Sequence, residues 1–163
     1  MSIASSTYDG KDLLYIIPEI FELQPENSTI YIVSPWLNLT IDLIKPWDLK
    51  PVKLIDLIKS KRQNGIETEV YTSSMSNEEY NTKESIKLME DNKIKHYIIN
   101  DLHSKAIIGE YIVYKGSANI TYNALHNNKE SVELYKNNNP ISELRAIIGV
   151  VNGSSGRENI IPT

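Results

Sequence analysis

The sequence contains no cysteine, and this absence excludes several kinds of chemistry. Disulfide bonds, thiolate metal sites and a cysteine nucleophile are all impossible in such a chain. No apolar run approaches the roughly 20 residues of a membrane span. The N-terminus also lacks the basic start, apolar run and cleavage site of a signal peptide. We therefore expect a cytoplasmic protein that makes no contact with a membrane.

The patterns of several common catalytic centres are missing as well. The sequence has no DxD, HxH or HExxH pattern, and its acidic residues are dispersed, so a two-metal centre is not expected. It also has neither a Gly-rich phosphate loop nor a Gly-x-Ser-x-Gly elbow. We expect neither a metal ion nor a cofactor.

A surplus of positive charge is absent too. The chain carries 17 Lys and Arg against 21 Asp and Glu, for a net charge of -4. This balance argues against a protein that binds nucleic acid nonspecifically through a broad basic face, although it does not exclude a local binding groove. The basic residues of VKLIDLIKSKRQNG are interpreted as the solvated face of an amphipathic helix.

Polar residues are concentrated in one strand-turn-strand segment, HSKAIIGEYIVYKGSANIT. His103 and Lys105 stand two positions apart, so on an extended strand both side chains point to the same face. The runs rich in Ile, Val and Tyr predict two paired strands, which would bring Gly116, Ser117 and Asn119 beside this first pair. The sequence therefore predicts a phosphate site.

These residue types can divide the work of phosphodiester cleavage among them. Such cleavage needs a nucleophile, an acid for the leaving oxygen, and cations or donors on the nonbridging oxygens. A neutral His103 can attack phosphorus, and a protonated histidine can donate to the departing oxygen. Lys105 would neutralise the phosphate charge, while Ser117 and Asn119 would donate hydrogen bonds to it.

The segment resembles the signature of the phospholipase D superfamily, which is His-x-Lys, an acidic residue after four more positions, and then Gly-Ser-x-Asn. Five residues match this signature: His103, Lys105, Gly116, Ser117 and Asn119. Residues 30–37, IYIVSPWL, look like the opening strand of the superfamily, which commonly ends in Ser-Pro. The resemblance extends over about residues 10–150, and its specificity comes from the combined string.

Two acidic residues complete the comparison. Glu110 stands where aspartate is usual, and the stretch from it to Gly116 is one residue shorter than the common spacing. Glu130 falls where many members carry another acidic residue, and it is the first candidate for a carboxylate that orients a histidine ring. The resemblance implies six catalytic residues: His103, Lys105, Ser117, Asn119, Glu130 and Glu110.

The motif occurs once, although the superfamily usually has two copies per active site. The other two histidines, His96 and His126, are not followed two residues later by lysine, and both are expected to be structural. The 163 residues suit one domain, and members with two motifs need roughly twice that length. By resemblance to single-motif nucleases, we expect a homodimer whose twofold axis brings both copies of His103 to one phosphate.

The expected function is a metal-independent phosphodiesterase, most of all an endonuclease that hydrolyses DNA or RNA through a phosphohistidine intermediate. Two alternatives stay open. The enzyme could act on a phospholipid, although no basic amphipathic helix for a membrane surface is evident. The fold could also be a non-catalytic module that binds phosphate or nucleic acid, as Glu110 and the shortened spacing would favour.

Helix and strand patterns alternate along the chain, which is typical of an α/β layer fold. We expect a phospholipase D-like mixed β-sheet flanked by helices on both faces, in one domain of residues 1–163. Its core should span about 10–150, and residues 152–163 should form a loose tail. Strands are predicted at TIYIVS, ETEVYTS, KHYIIN, the two motif strands and SVELY.

The helix patterns predict specific boundaries. The first helix, DGKDLLYIIPEIFEL, should bend or break at Pro18, and the second should end at Asn64 and Gly65. Asn77 is a possible cap of the third helix, and Pro140 suits the first turn of the last. A short helix is predicted at YNALHNN.

Two tryptophans lie near a segment that is predicted to be a loop. Residues 37–51 carry two prolines and should form a loop with apolar anchors, Trp47 among them. Trp36 directly precedes this segment. Both tryptophans are candidates for an interface, and packing at the core or its rim is an equally open interpretation.

Overall fold

The protein is built on a large mixed sheet; its computed structural model describes residues 6–75, 78–148 and 160–162. The strands described there are β1 (Ser6–Tyr8), β2 (Thr29–Val33), β3 (Asp42–Ile44), β4 (Pro51–Lys53), β5 (Glu67–Ser73), β6 (Lys95–Ile99), β7 (Lys105–Ile108), β8 (Ile112–Gly116), β9 (Val132–Lys136) and β10 (Ile160–Pro162). Eight form one sheet in the order β1-β9-β8-β7-β2-β5-β6-β10, and β3 pairs with β4 separately. Within the large sheet β2, β5 and β6 run parallel and the other neighbours antiparallel. The predicted mixed sheet is confirmed.

Helices cover both faces of this sheet. The α-helices of the described residues are α1 (Leu13–Glu22), α2 (Leu54–Arg62), α3 (Tyr80–Asp91) and α4 (Pro140–Ile148), with a 3-10 turn at Gly10–Asp12 and a π-helical turn at Asn123–Asn127. Because side chains alternate along a strand, Ile30 and Ile32 of β2 join the core shared with α1, α2 and α3. Tyr31 and Val33 point to the other face and pack with α4. The predicted two-sided arrangement is confirmed.

The basic residues of α2 take part in contacts of the fold. The ammonium of Lys61 lies 2.9 Å from the carboxylate of Glu22 in α1. Arg62 donates to the carbonyl oxygen of Asn92 at 2.7 Å, while Lys59 is exposed. Of these three residues, Lys59 fits the solvated helix face that the sequence pattern predicts, whereas Lys61 and Arg62 are half-buried and bind neighbouring elements.

The first helix and the segment after β2 differ from expectation. α1 continues through Pro18 without a break, because burial of this residue together with Ile17 and Phe21 outweighs the one backbone hydrogen bond that proline removes. The expected loop at residues 37–51 contains β3 and the first residue of β4. These two strands pair Asp42–Ile44 with Pro51–Lys53. The interpretation of that segment as a loop throughout was therefore wrong.

The ends of α2, α3 and α4 clarify three capping predictions. Gly65 adopts a φ of 77° just after α2, in the left-handed region that glycine tolerates. α3 begins at Tyr80, and the carboxylate of Glu79 caps it by accepting a backbone N–H at 2.7 Å. The possible cap Asn77 lies outside the described residues. Pro140 is the first residue of α4, as predicted.

The end of the chain was expected to be a loose tail. Ile160–Pro162 instead pair antiparallel with residues of β6 and form the last strand of the sheet. This corrects the expectation for those three residues. Residues 152–159 and 163 lie outside the part of the chain that the structure describes.

Candidate active site

The predicted motif lies at one end of the large sheet, where several strand ends meet. Lys105, the first residue of β7, pairs with Gly116, the last residue of β8. Each of these two strands also pairs with a further neighbour. Ala106 of β7 lies opposite Val33 of β2, and Gly116 of β8 lies opposite Val132 of β9. The register therefore places the His-x-Lys and Gly-Ser-x-Asn halves of the motif side by side.

His103 and Lys105 are held at the entrance to β7. The His103 side chain is exposed, and Lys105 is half-buried. The Lys105 Nζ donates to the backbone carbonyl oxygen of His103 at 2.7 Å. Just before them, Asp101 takes a positive φ of 56° and Leu102 is buried, so the turn into the strand is anchored. An accessible imidazole beside an ammonium group is well suited to an anionic ligand.

Gly116 permits a close approach that fixes Ser117 and Glu130. A Cβ on Gly116 would lie 2.0 Å from the carbonyl oxygen of Ser131, so no other residue fits there. The Ser131 N–H donates to the Ser117 hydroxyl oxygen at 2.9 Å. The Ser117 hydroxyl in turn donates to the Glu130 Oε2 at 2.6 Å. A phosphate would have to replace Glu130 in order to receive the Ser117 proton, so this structure favours Ser117 as a support for Glu130.

Asn119 is fixed by the loop that follows β2. Its Oδ1 accepts the backbone N–H of Trp36 at 3.0 Å. Beside it, the Asn38 N–H donates to the carbonyl oxygen of Ile120 at 2.8 Å. Because Oδ1 is occupied, the Nδ2 amide of Asn119 is the group that can donate to a ligand.

Two buried hydroxyl groups shape the turn that carries Ser117 and Asn119, and the sequence gives no sign of their role. The Tyr114 phenol donates to the carbonyl oxygen of Ala118 at 2.8 Å and accepts the Ala118 N–H at 3.0 Å. Burial raises the pKa of Tyr114, so its hydroxyl keeps the proton that it donates. The Ser34 hydroxyl oxygen accepts the N–H of Ile120 at 2.9 Å. Ser34 belongs to the Ser-Pro pair that directly follows β2, and this pair is the one sequence signal of its position.

A family model matches the part of the chain that contains this cluster. The family, described as "Cardiolipin synthase, PLD-like domain", matches residues 27–149, about three quarters of the chain. The chain belongs to the phospholipase D-like family. The suspected resemblance is confirmed. No curated protein sequence matches the chain significantly.

Solved structures share the fold of this phospholipase D-like chain. NucT from Helicobacter pylori is 18% identical with a TM-score of 0.69, and the alignment covers 98% of this chain and 99% of NucT. Nuc from Salmonella typhimurium, a phospholipase D family member, is 13% identical with a TM-score of 0.67 over 98% and 99% of the two chains. TrmBL2, an archaeal chromatin protein, is 12% identical with a TM-score of 0.60 over 99% of this chain and 55% of its own. At these identities the similarity establishes the fold.

Glu110 does not join the cluster of this phospholipase D-like chain. It lies in the turn between β7 and β8, at the end of the hairpin opposite the pair of Lys105 and Gly116. Five residue steps at ~3.3 Å each separate it from Lys105, which gives ~16 Å along the strand. Its backbone N–H donates to the Gln24 Oε1 at 2.9 Å. The expected catalytic role of Glu110 is therefore corrected.

The other two histidines occupy different places. His96 is buried in β6, with its Nδ1 2.7 Å from the carbonyl oxygen of Ile94. His126 lies in the π-helical turn and stacks on Tyr122 with ring centroids 4.2 Å apart. One chain thus contributes one motif histidine, His103, to the site.

The charged and polar groups of the cluster suit an anion. Imidazole, ammonium and amide groups come from His103, Lys105 and Asn119, and the carboxylate of Glu130 lies behind Ser117. Within residues 6–75, 78–148 and 160–162, no group of three or more His, Asp or Glu side chains is placed to hold a metal ion. Across the same ranges, no helix has the length and apolar character needed to cross a membrane.

Proposed function

We propose that this chain is a metal-independent phosphodiesterase and, more specifically, an endonuclease. Its active site would be shared by two identical subunits. The observation that carries the proposal is the register of β7 and β8, which sets His103 and Lys105 beside the Ser117 and Asn119 turn. Membership of the phospholipase D-like family supports phosphodiester chemistry. The fold shared with Nuc, NucT and the DNA-binding TrmBL2 favours nucleic acid as the substrate.

The first chemical step would form a covalent intermediate. A neutral His103 attacks phosphorus, so that a P–N bond forms and the P–O bond to the leaving strand breaks. His103 of the partner subunit, protonated at the start, gives its proton to the departing oxygen. Lys105 and the Asn119 amide stabilise the negative charge on the nonbridging oxygens.

The second step would release the enzyme by hydrolysis. Water enters where the leaving strand was, and the now neutral His103 of the partner subunit accepts its proton. The oxygen bonds to phosphorus and the P–N bond breaks, which regenerates both histidines in their starting protonation states. Glu130, held by the Ser117 hydroxyl, would orient a histidine ring.

Two histidines are required by this scheme, and one chain supplies one of them. His96 is buried and His126 is stacked outside the cluster. A twofold homodimer supplies the second histidine with no further element, because both subunits present the same surface to the shared phosphate. The homodimer is thus part of the proposal.

Cleavage of labelled DNA and RNA in excess EDTA tests this function. We expect a dimer whose cleavage resists the chelator and falls by about 10³-fold or more in His103→Ala. Lys105→Ala should also be nearly inactive, whereas Lys87→Ala, an exposed lysine on α3, is the matched control with unchanged activity. Failure of the wild type to cleave single- and double-stranded DNA and RNA would contradict the nuclease proposal.

A non-catalytic module that binds phosphate or nucleic acid is the second candidate. The fold of TrmBL2, a chromatin protein described as binding DNA, favours it. Such a module would shift nucleic acid in a gel without any product, and replacement of His103 would leave the shift unchanged. The nuclease proposal expects product from the wild type.

A phospholipid substrate is the third candidate, favoured by the cardiolipin synthase description of the family model. Release of head group from phospholipid vesicles separates this activity from cleavage of nucleic acid. The nuclease proposal expects no such release. A cytoplasmic location and the absence of membrane contact stay predictions.

A further inference from the structure

A groove begins at the Asn119 side of the site and has two exposed aromatic side chains on its walls. Its volume is ≈ 280 Å³, and its lining includes Trp36, Glu79, Asn81, Asn119, Tyr122 and Asn123. The side chains of Trp36 and Tyr122 are 46% and 58% exposed. Of these residues the proposed mechanism uses Asn119, so the two aromatic rings have no role in it.

Both aromatic residues are held in defined positions. The backbone of Trp36 donates to the Asn119 Oδ1 at 3.0 Å, and its carbonyl oxygen accepts from the Ser34 hydroxyl at 2.5 Å. The Tyr122 ring is supported by His126, with ring centroids 4.2 Å apart and planes inclined by 22°. Large apolar rings that stay in contact with water beside a reactive site are a common sign of a binding surface.

A nucleobase has the chemistry that fits this groove. Flat aromatic side chains bind bases by stacking, with little regard to sequence. The amides of Asn81 and Asn123 offer donors and acceptors to the edges of a base. The carboxylate of Glu79 disfavours a phosphate there. The base would therefore enter the groove while its phosphate remains beside Lys105.

A base can enter the groove only when it is unpaired. In a duplex its faces are covered by neighbouring bases and its edge by its partner, and extruding it costs free energy. Aromatic side chains therefore reach bases mainly in single strands. We infer that Trp36 and Tyr122 stack a base next to the scissile phosphate and make single-stranded nucleic acid the preferred substrate. This inference rests on the proposed nuclease function.

The test compares kcat/KM for three labelled substrates. These are a single-stranded oligonucleotide, its blunt duplex, and a strand of the same length that is abasic throughout. We expect the wild type to prefer the single strand by about 10-fold or more over both others. Trp36→Ala and Tyr122→Ala should each lower kcat/KM for the single strand by about 10-fold and leave the abasic strand unaffected.

Matched controls come from aromatic residues elsewhere on the surface. Trp47 and Tyr111 are 51% and 53% exposed, in the β3–β4 and β7–β8 turns. Trp47→Ala and Tyr111→Ala should leave all three rates unchanged. Trp36→Phe should retain most of the preference, because phenylalanine keeps an aromatic face for stacking.

Three results would overturn the inference. The first is equal cleavage of single strand and duplex by the wild type, and the second is a Trp36→Ala variant that slows the abasic strand as much as the base-bearing one. Dissociation of the dimer in Trp36→Ala would instead assign this side chain to the subunit contact. Equal cleavage of strand and duplex that still depends on His103 refutes the groove inference and leaves the nuclease proposal intact.

A binding measurement examines the groove if no cleavage is seen. In the double variant His103→Ala/Trp47→Phe, Trp36 is the one remaining tryptophan of the sequence, so tryptophan fluorescence reports binding at this residue. Quenching by the intact single strand, with much less by the abasic strand or the duplex, would support stacking on Trp36. Absence of quenching by all three would refute it, whatever the fate of the nuclease proposal.

Discussion

The Ser117 hydroxyl donates a hydrogen bond to the Glu130 carboxylate over 2.6 Å. The same oxygen accepts the Ser131 N–H, so the two hydrogen bonds together fix the orientation of the Ser117 hydroxyl group. The geometry places Ser117 behind Glu130, although the residue types alone suggested a direct contact between Ser117 and phosphate. Ser117 is on this account a positioning residue.

Ser117→Ala should lower kcat by about 10-fold and change KM little, because Glu130 loses the donor that orients it. Glu130→Ala should cause a larger loss, about 10²-fold. Steady-state rates measured against pH would separate these effects, since a misplaced histidine alters the pH profile. Ser60→Ala, an exposed serine on α2, is the control. A KM-only effect of Ser117→Ala would instead indicate direct contact with substrate.

Tyr114→Phe should weaken both stability and cleavage. The substitution removes the donor to the Ala118 carbonyl and the acceptor for the Ala118 N–H in a buried turn, at a cost of about 1–3 kcal/mol in the free energy of unfolding. Urea denaturation and cleavage rate would be measured together. Tyr135→Phe removes a hydrogen bond to Glu143 away from the site and should lower stability without slowing cleavage. Equal cleavage by both variants would show that Tyr114 does not position the turn.

Glu110→Gln should leave cleavage within about 2-fold of the wild type, because an exchange far from the reacting phosphate alters little transition-state stabilisation. The residue lies at the far end of the hairpin, with its backbone N–H held by Gln24. The amide of the introduced glutamine has nearly the same size as the Glu110 carboxylate, so the variant should fold normally. A loss as large as the one predicted for Glu130→Ala would show that Glu110 acts at the site despite its position.

Alkaline pH should destabilise the protein through three tyrosines, of which Tyr71 and Tyr114 are buried and Tyr135 is partly buried. Burial raises the pKa of Tyr71, Tyr114 and Tyr135 above the ordinary value of 10.0. As pH rises past that value, the unfolded chain loses these protons while the folded chain keeps them, so the free energy of unfolding falls. Below the ordinary value their contribution is fully present.

Urea midpoints between pH 8 and 11 would measure this effect. Tyr135→Phe should show a shallower decline at the alkaline end than the wild type, and Tyr111→Phe, an exposed control, should follow the wild type. A midpoint that stays constant across the range would contradict the assignment.

The sequence predicts the sheet and the motif well because both follow from local patterns. Runs of Ile, Val and Tyr mark strands, and the hairpin register brings Lys105 to Gly116. The strand β3 and the start of β4 are missed, since three-residue strands have too few positions for a periodic pattern. Their pairing depends on contacts made elsewhere in the fold.

The site itself is only partly predictable, for reasons of geometry. A motif gives the order of its residues but not where the strand between them leads. Because β7 runs away from the site, Glu110 lies in the turn at its opposite end. Tyr114 and Ser34 act through the backbone of a turn, and a hydroxyl among strand residues gives no signal of that. Trp36 is visible in the sequence, but its proximity to Asn119 requires the folded chain.

The most direct test of the histidine mechanism is a single-turnover cleavage in excess EDTA with an end-labelled single strand, quenched in alkaline detergent. The account predicts that a dimeric wild type yields product and transiently carries label on the protein, and that His103→Ala yields neither. Cleavage by His103→Ala at the wild-type rate, or cleavage by the wild type that requires an added metal ion, would contradict it.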